Sequence, residues 1–258
     1  MGAKTLDVSI MKNDRLLFFA IATLALVAIA FMDAIPQNKL YHDFANQKNF
    51  FGLNNGADVI SNLAFFLAGL SGCLVLASSR LTYAKSSWLT FFIGTILVSF
   101  GSAYYHISPN NDTLVWDRLP MTVSFMGFFS ALIVIHFGHK RETLFLFIAT
   151  ALGLLSVVYW AIFDDLKYYY YVQGIPIIST IVFLTAYKSQ RLIKRYLWLA
   201  IVLYLLAKVT EYFDLEIFQL TYGAISGHTL KHFFAAGAPL VMAMMLYQLE
   251  QASDPQTG

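Results

Sequence analysis

Eight apolar stretches, each close to the length that crosses a bilayer, follow one another along this chain. A spanning helix needs about 20 mainly apolar residues, because the hydrocarbon is roughly 30 Å thick and a helix rises about 1.5 Å per residue. The stretches are 16–35, 59–77, 88–105, 119–137, 144–163, 168–187, 196–213 and 227–249. Short polar segments separate them, among them Ser86-Ser87, His139-Lys140-Arg141-Glu142 and Lys188-Ser189-Gln190-Arg191. The fold class predicted is all-α: a polytopic membrane helix bundle with a seven-helix core and one extra N-terminal helix. No linker is long enough for a second domain, and no internal repeat is visible. Residues 37–249 then form the membrane domain. Residues 1–36 are an extra transmembrane helix or signal anchor, and 250–258 a cytoplasmic tail.

Composition narrows the function classes. Of 258 residues 58% are hydrophobic and 12% charged, against roughly a quarter charged in soluble domains. Aromatic residues reach 16%, which suits a protein with two membrane interfaces to decorate. A net charge of +2 is too small to suggest nucleic acid, and nothing points to a protein partner. The single cysteine, Cys73, excludes an internal disulfide or a cysteine metal cluster and reads as a small buried hydrophobe. The first stretch admits two readings. Lys12 and Arg15 precede an apolar run holding Ala28-Ile29-Ala30, which resembles a signal-peptidase site. The run continues through Phe31-Met32 to Ile35, long enough to span, which favours a retained helix.

Basic residues divide unevenly between the two sides. With the N-terminus on side one, that side holds Lys4, Lys12, Arg15, Arg80, Lys85, Lys140, Arg141, Lys188, Arg191, Lys194 and Arg195. Side two holds Lys39, Lys48, Arg118 and Lys167. Basic residues in short loops mark the cytoplasmic side, so both termini are expected in the cytoplasm if the first helix is retained. His106, His228 and His232 fall near side two, the outer, periplasmic or lumenal face. His136 and His139 fall at the cytoplasmic end and read as interfacial histidines without a ligand role. His42 reads as a loop residue.

One constellation carries chemistry. Ser102 and His106 lie four apart on one helical face, and Asp117 follows eleven residues after His106 at the start of the next helix. His228 and His232 are again four apart on one face. Three imidazoles from two helices can therefore meet at a similar membrane depth. Three neutral histidines leave the fourth position of tetrahedral zinc open, the arrangement of a catalytic site. Taken singly, each part has a plainer reading. A histidine pair can serve interhelical hydrogen bonds, Ser102 can bond back to a helical carbonyl, and Asp117 can pair with Arg118. Charged groups within the membrane are nonetheless functional candidates by default.

These residues resemble the alkaline ceramidases, within the superfamily that includes adiponectin-type receptors and GPI-anchor lipid-remodelling proteins. Ser102, His106, Asp117, His228 and His232 match its motif, as does Ser61-Asn62. The resemblance spans roughly 43–249 and is more specific for the superfamily than for ceramidase. It implies zinc on His106, His228 and His232, with Asp117 as general acid–base and Ser102 as oxyanion donor. The expected reaction is hydrolysis of an N-acyl (sphingo)lipid to a fatty acid and an amino lipid, the substrate entering from the membrane. A receptor or sensor with structural zinc, and a lipid-ester hydrolase of the GPI-remodelling kind, remain as alternatives.

Two departures from the family stand out. Asp-Glu-Leu-Pro-Met of the family reads Asp117-Arg118-Leu119-Pro120-Met121 here. Arg118, with Lys231 between the two histidines, points either to an anionic substrate headgroup or to cations snorkelling to the interface. The family's calcium-binding loop before the first core helix is also altered. Its Glu and Asn places hold Asn46 and Lys48, the later Glu falls at Asn55, and Asp43 keeps its carboxylate. No calcium site is expected. Lys208 and Glu211, three apart in the seventh stretch, read as an intramembrane pair fixing helix packing, with a proton relay as the alternative.

Overall fold

A computed structural model of the protein describes residues 12–80, 83–138, 140–186 and 190–253. Lys4, His139, Lys188 and residues 254–258, which figure in the sequence reading, lie outside the described residues, as does the Lys12 side chain. The helices are α1 (Lys12–Ala30), α2 (Gly56–Ser61), α3 (Leu63–Ser78), α4 (Lys85–Ile107) and α5 (Asn111–Phe137), followed by α6 (Glu142–Phe163), α7 (Lys167–Ala186), α8 (Arg191–Tyr212), α9 (Asp214–Leu220) and α10 (Gly227–Ser253).

Each of the eight apolar stretches is helical over most of its described residues. Among the described residues, six helical spans are long and apolar enough to cross a membrane: Gly56–Ser78, Lys85–Ile107, Asn111–Phe137, Glu142–Phe163, Lys167–Ala186 and Gly227–Ala252. The chain is an integral membrane helix bundle. Helix α8 is long enough, but Arg191, Lys194, Arg195, Lys208 and Glu211 dilute its apolar character. The apolar part of α1 is shorter, Arg15–Ala30, and ends before the stretch read from sequence. The Gly56–Ser78 span breaks at Asn62, where Ser61 Oγ and Asn62 Nδ2 both donate to the Asp58 carbonyl. That break turns Asp58, Ser61 and Asn62 inward, and all three are buried.

Helix α4 packs on α3 and α5, α5 on α6 and α7, and α10 on α3 and α8. A close backbone approach joins α4 to α5. A Cβ on Gly127 would come within 2.5 Å of the Phe91 amide nitrogen, and one on Gly101 would strike the Trp116 carbonyl. Only a missing side chain permits such backbone contact. The main core gathers Trp88, Phe92, Leu132, Phe183, Met242 and Leu246, with half-buried Cys73 against its edge rather than inside it.

Helix α1 lies against α7, where Phe18 stacks on Phe183 at 5.4 Å and the Tyr171 hydroxyl donates to the Ala22 carbonyl. Its Leu16, Leu17, Ile21, Leu24 and Val27 remain exposed, as a lipid-facing surface requires. The segment after α1 is held at the other end of the bundle. Asp165 Oδ1 accepts from the Ile35 amide and Asp164 Oδ1 from the Gln37 amide. Burial opposes ionisation of Asp165, but the Ile35 N–H and the Lys167 ammonium outweigh it and hold the carboxyl below its usual range.

The two ends differ in chemistry. Arg15, Lys140 and Arg141 line one pocket at one end. The three candidate histidines sit at the other, beside the Lys39–His42 turn and the start of α10.

Candidate metal centre

His106 closes the last turn of α4, while His228 and His232 occupy the first two turns of α10. Their ring centroids form a nearly equilateral triangle, at 4.9 Å for His106–His228, 5.0 Å for His106–His232 and 5.0 Å for His228–His232. One nitrogen from each lies within 4.8 Å of the others. All three are buried. Among the described residues this is the one converging group of His, Cys, Asp or Glu side chains with metal-ligand spacing.

The free ring nitrogens test whether the triangle suits a cation. His106 Nδ1 and His232 Nε2 are buried without a hydrogen-bond partner. Buried polar atoms are rarely left so, whereas two lone pairs facing a shared centre fit metal ligation. At His228 the Lys231 ammonium stands 3.3 Å from Nε2, but its shorter bond is to Glu211 at 2.8 Å. Three imidazoles with no thiolate or carboxylate are a nitrogen donor set of the kind that holds a transition-metal ion.

Surrounding groups orient the rings. Ser61 Oγ lies 2.6 Å from His232 Nδ1. Asp58, beneath it, accepts from the Thr229 hydroxyl at 2.5 Å. Asp214 holds the start of α10 by accepting from the His228 amide at 2.6 Å, and its other oxygen takes the Ala45 amide at 2.9 Å. Asn55 donates to the His106 carbonyl at 2.8 Å. Phe44 covers His106 and His228, its ring centre 4.7 and 4.5 Å from theirs. At Gly227 a Cβ would strike the Thr210 carbonyl, so α10 starts in direct contact with α8.

Ser102 of α4 and Asp117 of α5 face one another across the α4–α5 seam, as lining residues of one cavity. Both line a cavity of about 500 Å³ in the bundle interior, together with Arg118, Lys231, Glu211 and His232. Below these polar groups its wall is apolar, with Phe125, Phe128, Ile177 and Met242. A second, lateral groove of about 890 Å³ runs between α3 and α10 and reaches Ser61 and Thr229 from the outside.

Some of the remaining residues stand differently from expectation, and His42 and Lys48 stand as expected. Arg118 is 4% exposed, and Lys231 is bonded to Glu211, so neither snorkels to the surface. Glu211 serves both Lys208, at 2.6 Å, and Lys231, which makes the expected pair a triad. His136 is buried rather than interfacial. It stacks on Phe183 at 4.0 Å, and its Nδ1 donates to the Leu132 carbonyl. His42 is a loop residue that bonds Tyr105 and Asn111, outside the triangle. Lys48 is an exposed loop lysine whose ammonium donates to the Gly223 carbonyl.

Asp214 and Phe44 were not singled out by the sequence, and Asn55 figured there only as a place where the calcium loop lacks its Glu. None sits in a local pattern, since each acts on a partner far along the chain. Compared with protein-family models and with curated proteins, the chain matches none.

Proposed function

We propose that this chain is a zinc-dependent hydrolase that cleaves a lipid amide within the membrane, ceramidase-like in its chemistry. One observation carries the reading. A buried three-histidine triangle opens, through His232, on a cavity that a serine and a carboxylate also line, and apolar walls continue below them. A purely structural site would need neither Ser102 nor Asp117.

His106, His228 and His232 would hold the metal, and zinc so held supplies Lewis acidity, lowering the pKa of a water to about 7 and polarising a carbonyl. The remaining work falls to the protein. Asp117 takes a proton from the attacking water and returns it to the departing amine. The Ser102 hydroxyl donates to the carbonyl oxygen as negative charge develops there. Water is thereby added across the C–N bond, releasing a fatty acid and an amino lipid. The apolar lower wall of the cavity accommodates the acyl chain.

The test is digestion of a lipid extract by the purified protein, read by mass spectrometry, with matched amide and ester lipids as separate substrates. Asp117→Asn is expected to leave little turnover. Ser102→Ala loses one transition-state hydrogen bond, about 2.7–4 kcal/mol or roughly 100–1000-fold. Both variants should keep their zinc, and His232→Ala should lose zinc and activity together. Near-normal turnover in Asp117→Asn overturns the mechanism, and ester cleavage without amide cleavage overturns the substrate class.

A further inference from the structure

Arg118 follows Asp117 directly, and its guanidinium is enclosed by rings. Its central carbon lies 4.1 Å from the Trp160 ring centre, 4.7 Å from Tyr169 and 5.7 Å from Tyr41. Nη2 donates to Gln37 Oε1 at 2.8 Å, a neutral acceptor. Nη1 is buried with no partner. Among the described residues no carboxylate makes an ion pair with Arg118. A buried cation normally finds an anion or shifts its protonation, and arginine cannot do the latter. Aromatic faces offset part of the lost hydration, yet one edge of the fork is left unsatisfied.

The charge around the cavity is also unbalanced. Its wall carries Arg118, Lys208 and Lys231 against Asp117 and Glu211. Glu211 is shared by the two lysines, and Asp117, the neighbour in sequence, makes no ion pair with Arg118, so the wall carries one cation more than it has carboxylates. A guanidinium fork matches the two oxygens of a carboxylate or phosphate, and such pairs are bidentate and strong.

We propose that Arg118 is a binding site for an oxyanion, so that the lipid amide taken by this cavity carries a carboxylate or phosphate close to its scissile bond. This rests on reading the cavity as a lipid-amide site. Tyr169 lines the cavity beside Arg118, Trp160 lies against the guanidinium, and Gln37 holds it in place. Neutral lipids leave the fork unpaired and bind more weakly.

The experiment uses two matched substrate pairs with the purified, zinc-loaded full chain. One pair is N-oleoylglycine and N-oleoylglycinamide; the other is N-oleoylethanolamine phosphate and N-oleoylethanolamine. A separate binding arm compares hexadecyl phosphate with hexadecanol, neither of which holds an amide. The wild type should favour the acidic member about tenfold or more in kcat/KM and in binding, since charge-assisted hydrogen bonds discriminate on that scale. Arg118→Met and Arg118→Gln, checked for zinc content and thermal unfolding, should bring both ratios toward one. The pair with the larger ratio identifies carboxylate or phosphate. Equal handling of both members by the wild type overturns the proposal, whether or not the variants fold. A preference surviving in either folded variant also overturns it. If neither pair is cleaved while Arg118-dependent binding of hexadecyl phosphate persists, the hydrolase reading falls and the anion site stands.

Discussion

A single hydrogen bond between Ser61 and His232, 2.6 Å from Oγ to Nδ1, decides which face of that imidazole is left free. With the serine proton given to the Asp58 carbonyl at 3.0 Å, the serine oxygen accepts from Nδ1–H. Nε2 then keeps its lone pair, and it is this atom that is buried without a partner. The serine sets the tautomer that a cation requires.

The expected consequence is a graded loss of metal affinity. Wild-type protein should hold about one zinc per chain, and substituting all three histidines by alanine should abolish it. Ser61→Ala should retain zinc but bind it about 10–100-fold more weakly, the usual effect of removing a group that orients a ligand. Competition with a fluorescent zinc chelator measures this. Unchanged affinity in Ser61→Ala would show that the ring is oriented by something else. Full zinc occupancy in the triple alanine variant would remove the assignment altogether.

The second prediction concerns the α4–α5 seam. Gly101 lets α4 touch the Trp116 carbonyl one residue before Ser102 and Asp117, respectively. Gly101→Val pushes the helices apart at that level, and overpacking of this kind costs about 1–3 kcal/mol. Thermal unfolding in detergent should show a lower Tm, and turnover should fall as Ser102 parts from Asp117. A Gly101→Val protein with wild-type Tm and turnover would mean that the seam tolerates separation.

The helices were legible in the sequence because lipid demands long apolar runs and polar punctuation survives only between them. The histidine triangle was legible for a similar reason: spacing of four puts His228 and His232 on one face, and Ser102, His106 and Asp117 flank one short connection. Orientation of these groups was not legible. Asp214 reaches Ala45, 169 residues earlier in the chain, and Ser61 reaches His232 across 171. Single polar residues with such distant partners leave no periodic trace. Arg118 shows the same limit. Its departure from the family motif was visible, but the Trp160–Tyr169 enclosure arises only when α5, α6 and α7 meet. His136 looked interfacial by position, yet Phe183 of α7 covers it.

Sidedness gives the third prediction. Arg15, Lys140 and Arg141 gather at the end of the bundle opposite the histidines, which agrees with the uneven spread of basic residues. The proposal is that this end is cytoplasmic and the histidine site faces outward. In a Cys73→Ser background, Arg191→Cys should resist an impermeant thiol reagent applied to intact cells and react after permeabilisation. Labelling from outside before permeabilisation would invert the topology.

The last prediction is that activity needs no calcium, as the neutral and cationic residues of the loop before α2 lead one to expect. The loop before α2 makes its contacts with protein groups instead. Asn46 is buried, and its Oδ1 accepts from the Lys48 amide at 3.2 Å. The Lys48 ammonium donates to the Gly223 carbonyl at 2.7 Å and lies 5.3 Å from the Phe218 ring centre, tying the loop to the turn that precedes α10. Asn55 donates to the His106 carbonyl, a task that uses its amide nitrogen rather than an oxygen. Asp43 keeps a carboxylate on the exposed side of the loop. Calcium takes six to eight oxygen ligands, and its affinity falls as their charge is lost. A lysine that already bridges the loop to Gly223 performs the cross-linking that a bound cation would provide. Exhaustive treatment with a calcium-selective chelator that spares zinc should therefore leave turnover unchanged. Lys48→Met should lower thermal stability by loosening this loop, and added calcium should not restore it. Loss of activity on chelation that calcium alone reverses would place a calcium site in this loop despite its neutral and cationic residues.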